Sequence, residues 1–140
     1  EDRVILTGFV PDAERVIRAC DVVVSGSFEE SFGLSVLEGM AAGRPVIASD
    51  IDAHAALITH GTSGLLYPPG SAQDLASAFR NLMDHPGYRQ RLGREARRRA
   101  EDYDLELSLS RWNVFIQEIA GAAFRGDRHE VAGRCREGSY

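Results

Sequence analysis

Lysine is absent from this chain. All sixteen basic residues are arginine, set against 21 acidic ones, for a formal net charge of −5. That balance argues against bulk electrostatic binding of nucleic acid. The missing lysine reads as an effect of genome composition rather than a functional sign. Cysteine is scarce: Cys20 falls in an expected core helix and Cys135 in the tail. Two thiols so placed make no disulfide framework and suit a reducing, cytoplasmic setting. No apolar run approaches the roughly 18 to 20 residues of a membrane span, and the N-terminus carries no signal-peptide pattern. His54, His60, His85 and His129 have no metal-ligand spacing with one another or with cysteine, so they read as loop or capping residues and no metal is expected. A Gly-x-Ser-x-Gly elbow to anchor Ser-His-Asp catalysis is missing too, and no internal repeat is visible.

What remains is ordinary in bulk and informative in order. A length of 140 residues with 44% hydrophobic content suits one soluble globular domain with a sizeable core. Residues 4–7, Val-Ile-Leu-Thr, form a β-rich run closed by Gly8. Pro11 and Asp12 open a helix with Ala13, Val16, Ile17 and Cys20 at helical spacing. Residues 22–24 are a continuous apolar run, the pattern of a strand buried on both faces of a parallel sheet. A helix to about Ala42 follows, with Leu34, Leu37, Met40 and Ala41 inward and Gly43 in capping position. Residues 45–48 form the next strand, residues 55–58 a short helix stopped by Gly61, and residues 65–67 a last strand before Pro68-Pro-Gly70. This alternation predicts an α/β fold: a partial Rossmann-like parallel sheet of about four strands, with flanking helices and right-handed crossovers.

The C-terminal segment is helical. Ser71-Ala-Gln-Asp74 starts a helix in the manner of a capping box, with Leu75, Phe79, Leu82 and Met83 as its apolar stripe. His85-Pro86 starts a second helix to about Tyr103. A third carries the seam Leu105, Leu109, Trp112, Ile116 and Ile119, which must pack on something. The polar, glycine-bearing residues 125–140 are expected to form a disordered tail. Domain organisation is therefore read as 1–124 plus that tail.

The densest chemistry lies in Glu30-Ser-Phe-Gly-Leu-Ser-Val-Leu-Glu38-Gly-Met40, followed by Gly43-Arg-Pro-Val-Ile-Ala-Ser-Asp50. One glutamate precedes a helix start and another lies within the helix. The first N–H groups of a helix have no intrahelical partner and sit at the positive end of its dipole, so they attract phosphate. Carboxylates beside them suit hydroxyls, as on a ribose and a sugar. Eight residues of continuous helix would rise about 12 Å, so Glu30 must lie in the loop for both glutamates to reach one ligand. Ser25-Gly-Ser27 precedes the turn, at a strand end where ligands bind in open α/β sheets; an ordinary strand exit explains it equally well.

Glutamate, seven residues and glutamate, with Phe-Gly two and three residues after the first, resembles the signature of the family 4 retaining glycosyltransferases (glycosyl transferases group 1). The likeness extends through Gly61-Thr-Ser-Gly64-Leu-Leu-Tyr-Pro-Pro-Gly70 and, more faintly, upstream through Leu6-Thr-Gly8-Phe-Val10, covering residues 4 to 120. It implies half of a GT-B architecture: the C-terminal, nucleotide-sugar donor-binding domain, N-terminally truncated, with the acceptor domain and the family's phosphate-binding arginine and lysine outside these residues. By the same implication Glu30 is the catalytic residue, acting by positioning and charge stabilisation. Ser31, Phe32, Gly33 and Leu34 meet the sugar and diphosphate, Glu38 holds the ribose hydroxyls, and Val10 flanks the base. The donor would be a UDP-, GDP- or ADP-sugar and the acceptor a saccharide or a lipid-linked one, with no cofactor or metal. The location would be cytoplasmic, with peripheral membrane contact as an option.

Several features stand beside this reading. Asp50-Ile-Asp52 looks like a metal-binding D-x-D but follows a buried strand, so it reads as a loop pair. Arg89, Arg91, Arg94, Arg97, Arg98 and Arg99 make a basic helix, first a solvated face balanced by Glu95 and Glu101, and alternatively a contact for anionic lipid. The chain has Asp52-Ala53 where the family usually has Gly-Gly, and Ala56 where a glutamate is usual. A non-catalytic nucleotide-binding or interaction module with the same fold is the alternative; a related sugar epimerase is a third reading, against which the two glutamates and Phe-Gly argue. The Leu105 to Ile119 seam would cross back onto the N-terminal domain.

Overall fold

The computed structural model describes residues 3–124. The expected tail 125–140, with His129 and Cys135, lies outside the described residues. The chain divides into two compact units, the first ending at Glu101 and the second starting at Asp102.

The first unit alternates helix and strand: α1 (Ala13–Ala19), β1 (Val23–Ser25), α2 (Leu34–Ala41), β2 (Val46–Ser49), α3 (Asp52–Leu57), β3 (Leu65–Tyr67), α4 (Ala72–Asp84) and α5 (Pro86–Ala100); a 3-10 turn (Glu101–Tyr103) spans the division. The three strands are parallel in the order β1-β2-β3, with Val24 opposite Ile47 and Ala48 opposite Leu66. The α/β class is as expected, but the sheet has three strands rather than about four. Residues 4–7 are not a strand: Val4, Ile5 and Leu6 are exposed. A β-rich run becomes a strand only with a ladder to join, and among the described residues none pairs with it.

The central strand β2 is completely buried along its length, as a strand covered on both faces must be. Ile47, Leu65 and Tyr67 pack with Leu82 and Leu92, and Leu75, Phe79 and Tyr88 close over them. Ser71 caps α4, accepting from the Asp74 backbone N–H. Met83, expected in that helix's stripe, is exposed, because the face is already filled by Leu75, Phe79 and Leu82. In α2 the buried residues are Val36, Gly39 and Met40, while Leu34 and Ala41 are exposed. The helix starts at Leu34 itself, so the face at i, i+3 and i+4 from Val36 turns inward instead. Helix α1 buries no residue, and Cys20 is a half-buried cap rather than a core side chain.

Close packing fixes α2. A Cβ at Gly39 would stand 3.1 Å from Val23 on β1, and one at Gly93 of α5 only 2.4 Å from the Gly43 carbonyl oxygen. Among the described residues of the second unit, α6 (Leu105–Phe124) is the one α-helix, started by Asp104 accepting from the Glu106 and Leu107 amides. Its seam residues Leu105, Leu109, Trp112 and Ile116 are exposed, and Trp112 packs edge-on against Phe115 with ring centroids 5.8 Å apart. No helix among the described residues is long and apolar enough to cross a membrane.

Candidate functional site

Parallel strands bring their carboxyl ends to one edge of a sheet, where ligands of open α/β folds bind. Here those ends are Ser25, Ser49 and Tyr67. From Ser25 the chain runs through a loop, residues 26–33, and enters α2 at Leu34. Gly33 is the residue on which the entry turns. It adopts φ 85° and ψ 47°, and its carbonyl accepts from Val36 N at 3.0 Å and Leu37 N at 3.1 Å. No side chain caps this helix. The amides of Leu34 and Ser35 belong to the first turn, whose N–H groups have no intrahelical partner and carry the positive end of the dipole.

Glu30 lies in the loop, exposed, where its carboxylate accepts from Ser27 Oγ at 2.8 Å. Ser31 and Phe32 are also exposed between it and Gly33. Glu38 lies in the second turn of α2, again exposed. It lines a cavity of about 280 Å³ with Glu14, Ile17, Arg18, Ala41 and Ala42. That lining includes none of residues 30–34. Val10 is half-buried, two residues before Asp12, the cap of α1, which packs against α2. The residues read from the sequence thus cluster around one helix, some at its N-terminus and others along the flank facing α1.

Beneath the loop is a residue that the sequence reading assigned to a loop or cap. His54 is fully buried within α3. Its Nδ1 lies 2.9 Å from Ser49 O and 3.2 Å from Ser49 Oγ, and its Nε2 lies 3.4 Å from Ser25 Oγ. Ser49 Oγ in turn donates to Ser27 O. A legible signal existed: His54, Leu57 and Ile58 recur at i, i+3 and i+4, the spacing of an inward helical face. Ser25 is likewise more than a strand exit, since it is buried at this junction.

Asp50 is bound by its backbone, donating to Tyr67 O at 2.8 Å, and Asp52 starts α3. Among the described residues no group of three or more His, Cys, Asp or Glu side chains is arranged to hold a metal ion. The basic helix α5 is not a uniform solvated face. Arg98 pairs with Glu95 at 2.7 Å and Arg91 lies over the Tyr88 ring. Arg99 reaches across to donate to Ala56 O at 3.1 Å and Leu57 O at 3.3 Å, capping the end of α3.

The family model for glycosyl transferases group 1 matches residues 1–85. D-inositol 3-phosphate glycosyltransferase of Pseudarthrobacter chlorophenolicus is 45% identical over 92 residues, 66% of this chain and 22% of that protein. The enzyme of the same name from Saccharomonospora viridis is 36% identical over 132 residues, 91% of this chain and 30% of that protein. The chain therefore spans less than a third of these curated relatives. Among solved structures, Anabaena Alr3699/HepE in complex with UDP-glucose superposes with a TM-score of 0.71 at 31% identity, over 73% of this chain and 28% of that one. The C-terminal domain of a glycosyl transferase group 1 family protein (LpcC) from Francisella tularensis gives 0.63 at 30% identity, over 70% and 52%.

Proposed function

The chain belongs to the glycosyl transferases group 1 family, and we propose that residues 1–124 are the donor-binding half of a GT-B, family 4 retaining glycosyltransferase. In that enzyme a sugar passes from a nucleotide-diphosphate sugar to a saccharide or lipid-linked acceptor held by a separate N-terminal domain. The observation that carries the reading is the joint between Glu30 and α2: an exposed carboxylate, a left-handed glycine and an uncapped helix N-terminus in succession. A diphosphate suits the Leu34 and Ser35 amides. A carboxylate beside it suits sugar hydroxyls and the positive charge that develops at the anomeric carbon as the leaving group departs.

The roles follow. Glu30 is the catalytic residue, positioning the sugar and stabilising charge. Ser31, Phe32, Gly33 and Leu34 form the turn that receives sugar and diphosphate. Glu38 binds the ribose hydroxyls, and Val10 flanks the base. Helix-terminal amides stabilise the leaving diphosphate without a metal or other cofactor. UDP is the favoured nucleotide among UDP, GDP and ADP because the similar Anabaena protein was solved with UDP-glucose. The enzyme works in the cytoplasm, at a membrane surface when its acceptor is lipid-linked, and the α6 seam packs on the acceptor domain.

Calorimetric titration of the chain with UDP, GDP and ADP tests this reading, with Glu38→Ala as the control. Loss of hydrogen bonds to a charged group is worth about 1.5–3 kcal/mol, so Glu38→Ala should weaken UDP binding about tenfold or more. The alternative is a non-catalytic interaction module on the same fold. It is favoured by Asp52 and Ala56, which stand where the family usually has glycine and glutamate. Nucleotide binding that is absent, or indifferent to Glu38, decides for it.

A further inference from the structure

Under the Glu30 loop lies a buried polar junction that the roles above leave unused. A carbonyl oxygen only accepts, so the 2.9 Å contact between His54 Nδ1 and Ser49 O places the imidazole proton on Nδ1. Nε2 then accepts, and its partner is the Ser25 hydroxyl. Ser49 Oγ, beside Nδ1, donates its own hydrogen bond to Ser27 O. Ser27 Oγ donates to Glu30 Oε1 at 2.8 Å. The donors all run one way: Ser25 to His54, His54 to Ser49, Ser49 to the Ser27 backbone, and the Ser27 hydroxyl to Glu30. The same ring forms the floor of the turn, since a Cβ built at Gly33 would stand 3.0 Å from His54 Cδ2.

An apolar side chain would fill this volume equally well, so packing alone does not explain an imidazole. What an imidazole adds is two nitrogens that reach the ends of two different strands. We infer that His54 is a positioning residue for the donor site. It ties the carboxyl ends of β1 and β2 together, sets the height of the Gly33 turn, and through Ser49 holds the strand exit from which Ser27 aims the Glu30 carboxylate. This rests on the donor-site reading of Glu30 and Gly33.

The test compares the full chain with His54→Asn and His54→Leu, following amide hydrogen exchange and UDP binding. Asparagine places an N–H group where Nδ1–H lies, keeping the Ser49 contact and surrendering Ser25. Leucine keeps the volume and neither bond. In His54→Leu the amides of Val36 and Leu37, which bond the Gly33 carbonyl where the loop enters α2, should exchange about tenfold faster while those of Leu82 and Leu92 keep their protection. UDP affinity should fall about tenfold with them, and asparagine should recover most of both effects. Unchanged exchange at Val36 and Leu37 in His54→Leu overturns the inference. So does an equal loss at Leu82 and Leu92, which would mark His54 as a general core residue. If the leucine variant does not fold, Ser49→Ala keeps the carbonyl that His54 Nδ1–H meets but removes the hydroxyl that donates to Ser27 O. It should loosen the same loop, and an unchanged loop there overturns the inference. A wild-type chain that fails to bind UDP sinks the donor-site reading alone, while the exchange pattern still decides whether His54 sets the loop.

Discussion

Gly33 is held to glycine by two independent constraints. Its φ of 85° lies in the left-handed region, which costs an L side chain roughly 1–2 kcal/mol, and the His54 ring occupies the space a methyl would need. Gly33→Ala should therefore lower stability by about 2–3 kcal/mol in chemical denaturation and abolish nucleotide binding; a variant of wild-type stability would contradict this. Ser27→Ala should be gentler. An exposed hydroxyl–carboxylate bond contributes about 1 kcal/mol at most, so stability should hardly move while UDP affinity falls as Glu30 loses its orientation. Glu30, Gly33 and Glu38 stand out in the sequence because their residue types and spacing form a motif, and their proposed roles rest on it. For His54 only the inward spacing with Leu57 and Ile58 is legible; its polar partners Ser25 and Ser49 lie 29 and 5 residues away, and no local pattern announces them.

Helix α2 is positioned by contacts at both of its ends. At the far end Gly43, with φ 70°, terminates it, and Gly93 of α5 crosses so closely that a Cβ would meet the Gly43 carbonyl. Backbone cannot swing aside as a side chain can, so Gly93→Ala should cost about 1–3 kcal/mol. It should also perturb amides of α2, although residue 93 lies remote in sequence from the site. Arg99→Ala should free the α3 carbonyls at Ala56 and Leu57 and lower stability by about 1 kcal/mol. Its effect on the loop should be weaker than that of His54→Leu, because its bonds to α3 lie at the far end of that helix. The strand and helix types, the Gly43 stop, the Ser71 cap and the Pro86 start were all readable from periodicity and punctuation. The strand expected at residues 4–7 was misread because composition records β preference but not whether a ladder partner exists. The inward face of α2 was misplaced because a stripe cannot be phased without knowing where the helix begins.

At the scale of the molecule, a three-stranded parallel sheet aligns three strand ends, and the loop after the first of them carries Glu30. The class of fold was visible in the alternation of elements, since buried apolar runs separated by helical stripes leave few other arrangements. The division after Glu101 was not: the amphipathic pattern of residues 105–119 reads as one more packed helix, and no sequence feature says which surface it covers. The α2 N-terminus is the proposed seat of a nucleotide diphosphate, and titrating the chain with UDP while following backbone amide shifts tests that most directly. Saturable shifts centred on residues 32–37, with smaller ones at Glu38 and Val10, are expected. A spectrum that does not move at those amides, or that moves only elsewhere, would contradict it.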